Sequence, residues 1–152
     1  MKNAMIFLFA TLVSFAALGQ QHSESDGLLY NADGSLFNGK FYTYFSNKNT
    51  RAEYTVENGK LNGPALFYFA NGKLMEKGQY LLGEKHGKWE RYNEEGKHTA
   101  SAEYELGKKH GKWMVWDANG KKRFEMEYTL GEKTGIWYEW NEKNELISQR
   151  TY

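Results

Sequence analysis

Gly107-Lys-Lys-His-Gly-Lys-Trp113 recurs upstream as Gly83-Glu-Lys-His-Gly-Lys-Trp89 and downstream as Gly131-Glu-Lys-Thr-Gly-Ile-Trp137. Fainter copies stand at Gly59-Lys-Leu-Asn-Gly-Pro-Ala65 and Ser35-Leu-Phe-Asn-Gly-Lys-Phe41. One glycine column reads Gly39, Gly63, Gly87, Gly111 and Gly135, a constant step of 24 residues. A fixed period of this length marks a repeat architecture, and every other motif has to be read inside it.

Each unit carries two β-prone segments separated by turn signals. The mid-unit turn falls at Gly72, Gly96 and Gly120, with Asn144 in the last unit, where asparagine tolerates a positive φ. In the second segment Lys122, Phe124, Met126, Tyr128 and Leu130 alternate with Lys121, Arg123, Glu125, Glu127 and Thr129. Period two with one apolar face predicts a half-buried strand. The Gly-x-x-x-Gly segment is expected to turn the chain into the next unit. The expectation is an all-β fold: an elongated single-layer antiparallel sheet of consecutive β-hairpins, about ten strands and 45–50 Å along the stack.

Three aromatic columns support this. They read Val56, Tyr80, Tyr104, Tyr128, Tyr152; Tyr44, Tyr68, Tyr92, Trp116, Trp140; and Phe41, Ala65, Trp89, Trp113, Trp137. Equivalent residues two strands apart lie roughly 10 Å from each other, so the columns become ladders bridged by the intervening strand. Arg150, in the column of Tyr54, Ala102 and Met126, places a charge on the apolar face of the last strand, a device against edge-to-edge pairing.

The flanks divide the chain further. Residues 1–19 have a short positive start, an apolar run from Ala4 to Leu18 and small residues before Gln20, the layout of a secretory signal peptide. The run is shorter than the ~20 residues that span a bilayer. Residues 20–27 read as a flexible lead-in, 28–38 as a truncated hairpin that caps the array, and 39–152 as five repeats. The expected location is outside the cytoplasm, periplasmic or secreted.

At this point the units are recognisable. Gly107-Lys-Lys-His-Gly111, followed by aromatic strand residues and Asn119-Gly120, resembles the MORN repeat, and the form from Gly83 to Tyr92 resembles its bacterial variant. The resemblance covers about residues 35–152. It implies an elongated sheet of hairpins and no chemistry within the repeats. Such arrays usually mediate protein contacts, self-association or membrane attachment, and some bacterial relatives of the variant are labelled as antitoxin components. Where the eukaryotic pattern has Gly-x-Gly, this chain has Gly87-Lys88-Trp89 and Gly111-Lys112-Trp113.

Composition narrows the chemistry. Lysine and arginine number 20 against 19 acidic residues, so the large basic excess of a nucleic-acid binder is missing. The chain has no cysteine, which excludes disulfides, thiolate metal sites and a lipidated cysteine. His86 and His110 stand one period apart, too far to share an ion, and read as turn residues. Glu103, Glu105, Glu125 and Glu127 lie among lysines and read as solvated cross-strand pairs, not a hydrolytic dyad.

No catalytic residue, metal site, cofactor or small-molecule substrate is expected. What stands out is rings on both faces of the first strand of each unit, more than a single layer can bury. Trp89, Trp113, Trp116, Trp137, Tyr138 and Trp140 are the candidate contacts for a protein partner. Lys85, Lys88, Lys108, Lys109, Lys112 and Lys133 form a candidate basic edge. The reading is an exported, non-enzymatic binding or scaffolding protein. An antitoxin or immunity-like role is the alternative, and an anionic lipid or glycan the less favoured ligand.

Overall fold

A computed structural model describes residues 23–25 and 27–152; the signal-peptide reading lies outside the described residues. Ten strands form one sheet in strict chain order: β3 (Gly39–Tyr44), β4 (Thr50–Glu57), β5 (Lys60–Tyr68), β6 (Leu74–Leu81), β7 (Glu84–Tyr92), β8 (His98–Glu105), β9 (Lys108–Trp116), β10 (Lys122–Thr129), β11 (Glu132–Trp140) and β12 (Leu146–Thr151). Every neighbouring pair is antiparallel. The all-β array of consecutive hairpins is therefore observed. Ahead of it, β1 (Ser23–Ser25) pairs with β2 (Leu28–Tyr30). Within residues 20–27, read as a flexible lead-in, Ser23–Ser25 thus forms a short strand.

Two kinds of turn alternate along the array. The mid-unit turns are braced from within: Asn93 N–H donates to the Lys97 carbonyl and Gly96 N–H to the Asn93 carbonyl, and the same pair of bonds recurs from Asp117 and from Asn141. This is a type I turn closed by a left-handed residue, supplied by Gly96, Gly120 and Asn144. The other turns are two-residue tips at Asn58-Gly59, Leu82-Gly83, Leu106-Gly107 and Leu130-Gly131, with both residues at positive φ. Such primed turns match the twist of the strands they join.

The tips correct one expectation. The Gly-x-x-x-Gly segment does not itself turn. Only its first glycine is in the tip; the second, such as Gly87, lies inside the next strand at φ 65°. There, between the pairs Lys77–Glu90 and Gln79–His86, β7 has three residues where β6 has one. A glycine absorbs the left-handed step that this bulge demands.

Successive units are stitched on both long edges. At the tips, Gly83, Gly107 and Gly131 donate their N–H to the carbonyls of Leu61, Lys85 and Lys109. Gly59 makes the same bond to Phe37, which seats the N-terminal hairpin in the phase of a repeat. At the mid-unit turns the Nζ atoms of Lys73, Lys97 and Lys121 donate to the carbonyls of Glu94, Ala118 and Glu142 in the next unit.

Candidate binding surface

In-register partners share a face of a sheet, so the pairings sort the rings. Trp89 lies opposite Ala102, Val115 opposite Ala100, Trp113 opposite Met126 and Trp137 opposite Arg150. On this first face the rings touch in one continuous series: Phe41, Tyr54, Tyr80, Trp89, Tyr104, Trp113, Tyr128, Trp137 and Tyr152, with neighbouring centroids 4.6–6.3 Å apart. Edge-on and tilted contacts of this kind add to the burial energy of each ring. Lys85, Lys109 and Lys133 lie over the series, their Nζ atoms 3.6 Å, 4.5 Å and 4.5 Å from the ring centres of Trp89, Trp113 and Trp137.

The first face is thus the core of a one-layer sheet. Trp89 is 2% exposed, Ala52 2% and Ala65 1%. The indole N–H groups of Trp113 and Trp137 each donate to a backbone carbonyl, of Glu103 and Glu127, at 3.0 Å. Burial raises the Tyr54, Tyr80 and Tyr104 hydroxyl pKa values, that of Tyr80 to about 12.

The structure therefore divides the six candidate contact residues. Trp89, Trp113 and Trp137 belong to the ladder, and Trp89 is too deeply packed to meet a partner. Trp116, Tyr138 and Trp140 project from the second face. There a shorter row follows the mid-unit edge. Tyr92 and Trp116 flank His98, with centroids 5.4 Å and 4.7 Å from its ring, and Tyr138 stacks on Trp140 at 5.8 Å and 27°. Lys122 stands opposite Trp116 and over Trp140. A bulge between Lys122 and Phe124 breaks the expected alternation and carries Lys122 away from Phe124 to this face, where it bonds Glu125.

The row continues in phase to earlier units through Tyr68 and Tyr44, the latter 45% exposed. Between the rings lie paired charges. Glu90 accepts from Lys88 and Lys77, at 2.7 Å and 2.9 Å, and from the Tyr92 hydroxyl at 3.2 Å. Those bonds, that from Lys88 first, hold its carboxyl down at about 2. The second face is an amphipathic surface of half-exposed rings set in ion pairs.

The candidate basic edge does not form a single rim. Lys85, Lys109 and Lys133 cover the ladder, Lys88 is tied to Glu90 on the second face, Lys112 stands opposite Glu127, and Lys108 lies beside a tip, opposite Glu105. Bulges and alternation distribute them over both faces. Among the described residues no three histidine, aspartate or glutamate side chains gather where they could hold a metal ion.

The histidine column has a role that its sequence did not show. Three side chains at this position accept a hydrogen bond from the backbone N–H of the tip residue 20 positions later. Asn38 does so from Asn58 at 2.7 Å, Asn62 from Leu82 at 3.2 Å and His110, through Nδ1, from Leu130 at 3.4 Å. No periodicity argument finds this bond, because it joins two different columns.

An open sheet of 24-residue hairpin units, closed on one face by its own rings, defines a repeat-array protein. Residues 61–81, 85–105 and 109–129 match the family described as MORN repeat variant. Three consecutive units of the array thus match the MORN-variant repeat. No curated protein matches it. Among solved structures, one titled "Crystal structure of GtfA/B complex bound to UDP and GlcNAc" aligns over 89% of this chain at 9% identity and a TM-score of 0.30, and the chain spans 24% of that longer chain.

Proposed function

We propose that this is an exported, non-enzymatic binding protein whose second sheet face docks a protein partner through Trp116, Tyr138 and Trp140. One observation carries the reading. The ladder face satisfies its rings internally, whereas the second face presents rings at the mid-unit edge that no other layer covers among the described residues. Half-exposed aromatics within a polar surround are what protein interfaces use as anchors. The family match supports a repeat protein that binds and does not name the partner.

The test uses the chain from Gln20 as bait, with crosslinking before recovery from envelope and secreted fractions. A stoichiometric protein that is lost with W116A/W140A, at unchanged melting temperature, supports the reading. Its identity separates a scaffold from an antitoxin-like role. Recovery of glycan or lipid alone, or a protein retained by the double variant, overturns it. Export is tested separately: an N-terminus at Gln20 in protein recovered outside the cytoplasm supports signal cleavage.

A further inference from the structure

The tips contain an unusual choice of residue. Leu82, Leu106 and Leu130 occupy the left-handed region, at φ 55°, 43° and 49°, and are 64%, 48% and 52% exposed. A non-glycine residue there is disfavoured by contact between its Cβ and the backbone. At Leu82 and Leu130 a side-chain clasp from 20 residues earlier opposes that cost by holding the N–H of the strained residue, whereas His86 makes no such bond to Leu106. In the first two units the clasp is an asparagine amide oxygen, which keeps its lone pairs at every ordinary pH. In the fourth it is an imidazole nitrogen, which accepts only while unprotonated.

We propose that His110 is a proton-sensitive clasp: neutral, it pins the Leu130-Gly131 tip, and protonated, it releases it. Imidazole is the side chain that ordinarily changes charge between pH 5 and 8. Once Nδ1 carries a proton, a donor faces the Leu130 N–H donor and the bond is replaced by repulsion.

The charged surroundings of His110 are few. From β8 it faces Glu103, whose carboxylate lies against Gly111 and which has Lys88 on its far side. From β10 come the uncharged Thr129 and the clasped Leu130, followed beyond the tip by Glu132. On its own strand Lys108 and Lys112 face Glu105 and Glu127, while Lys109, like Lys133 of β11, is turned to the ladder. Glu103 is thus the acid placed to accompany the imidazolium.

His86, one unit earlier, is set up differently. Its Nδ1 is buried without a hydrogen-bond partner and lies 3.7 Å from a Glu105 carboxylate oxygen. Protonation there creates an ion pair instead of removing a bond. The clasp that a proton would break is therefore the one at Leu130. This device is independent of the partner assigned to the second face.

The test is amide hydrogen exchange on the full chain at pH 7.5 and 5.5, corrected for the intrinsic pH dependence of exchange. Leu82, clasped by Asn62, is the internal reference, and H110N supplies the proton-insensitive clasp the fold already uses. Protection at Leu130 should fall about two- to tenfold on acidification in the wild type, the worth of one ordinary hydrogen bond. It should hold steady at Leu82, and at Leu130 in H110N. The proposal is overturned if Leu130 and Leu82 respond alike in the wild type, if Leu130 falls equally in H110N, or if Leu130 is unprotected at both pH values.

Discussion

Gly78 forms the floor on which Trp89 rests: a Cβ added to Gly78 would fall far inside van der Waals contact with the indole carbons. Gly78 has an ordinary strand φ, so the glycine is there for space and not for conformation. Its column holds Tyr54, Ala102, Met126 and Arg150 in other units. G78A should destabilise the protein by about 1–3 kcal/mol, the range for overpacking a rigid core. W89L should recover part of that loss in the double variant. A thermal melt of the four proteins checks both; equal melting temperatures for wild type and G78A would contradict the packing.

The left-handed leucines make a prediction of opposite sign. L106N replaces an exposed, strained residue by the one that Asn58 supplies at the first tip. Asparagine keeps the Cβ, but its short polar side chain can hydrogen-bond locally in the left-handed region, so a gain of about 1 kcal/mol or less is expected. It would appear as a higher urea midpoint with unchanged slope.

Tryptophans three positions apart should behave as different kinds of residue. W113A opens a hole in the ring series between Tyr104 and Tyr128 and abandons an indole bond to Glu103, so a loss of about 3–5 kcal/mol is expected. W116A, half-exposed beside His98, should cost far less and act on partner recovery instead. Equilibrium unfolding of each variant distinguishes the two.

Two groups give the stability a predictable pH dependence. Glu90 titrates near 2 when folded, below the ordinary 4.5. Its ion pairs therefore contribute fully above about pH 4.5 and fade as pH falls towards 2. E90Q should melt lower than wild type at pH 7, with the gap closing near pH 2. Tyr80 is displaced upwards by burial, to about 12 from 10. Its neutral form is favoured by the fold, so its contribution is intact below pH 10 and disappears as pH rises through 12. Y80F should lessen the alkaline loss.

Much of this fold can be read from the chain, because the same 24-residue pattern is written several times. Columns such as Trp89, Trp113 and Trp137 declare strand phase and face together. Three features stay hidden for physical reasons. Parity counting fails at Lys122, where a bulge exchanges faces. Turn chemistry does not select Leu82 for a positive φ, because the clasp that supports that tip, Asn62, lies 20 residues away. Which aromatic face is closed depends on contacts between strands, such as Lys85 over Trp89, that no local pattern encodes. For that reason the candidate contacts and basic residues mixed core lids with surface groups.

The lysine stitches at the mid-unit edge all point the same way, from Lys73, Lys97 and Lys121 forward to the following turn. Three successive joints therefore have the same donor behind them and an equivalent carbonyl ahead, and at the first joint Asn49 donates to the matching carbonyl of Ala70. A copied block of 24 residues inserted between two units meets a ready junction at each side, and an excised block leaves neighbours that fit one another. Length is then a heritable variable that drift can lengthen or shorten without redesigning any contact.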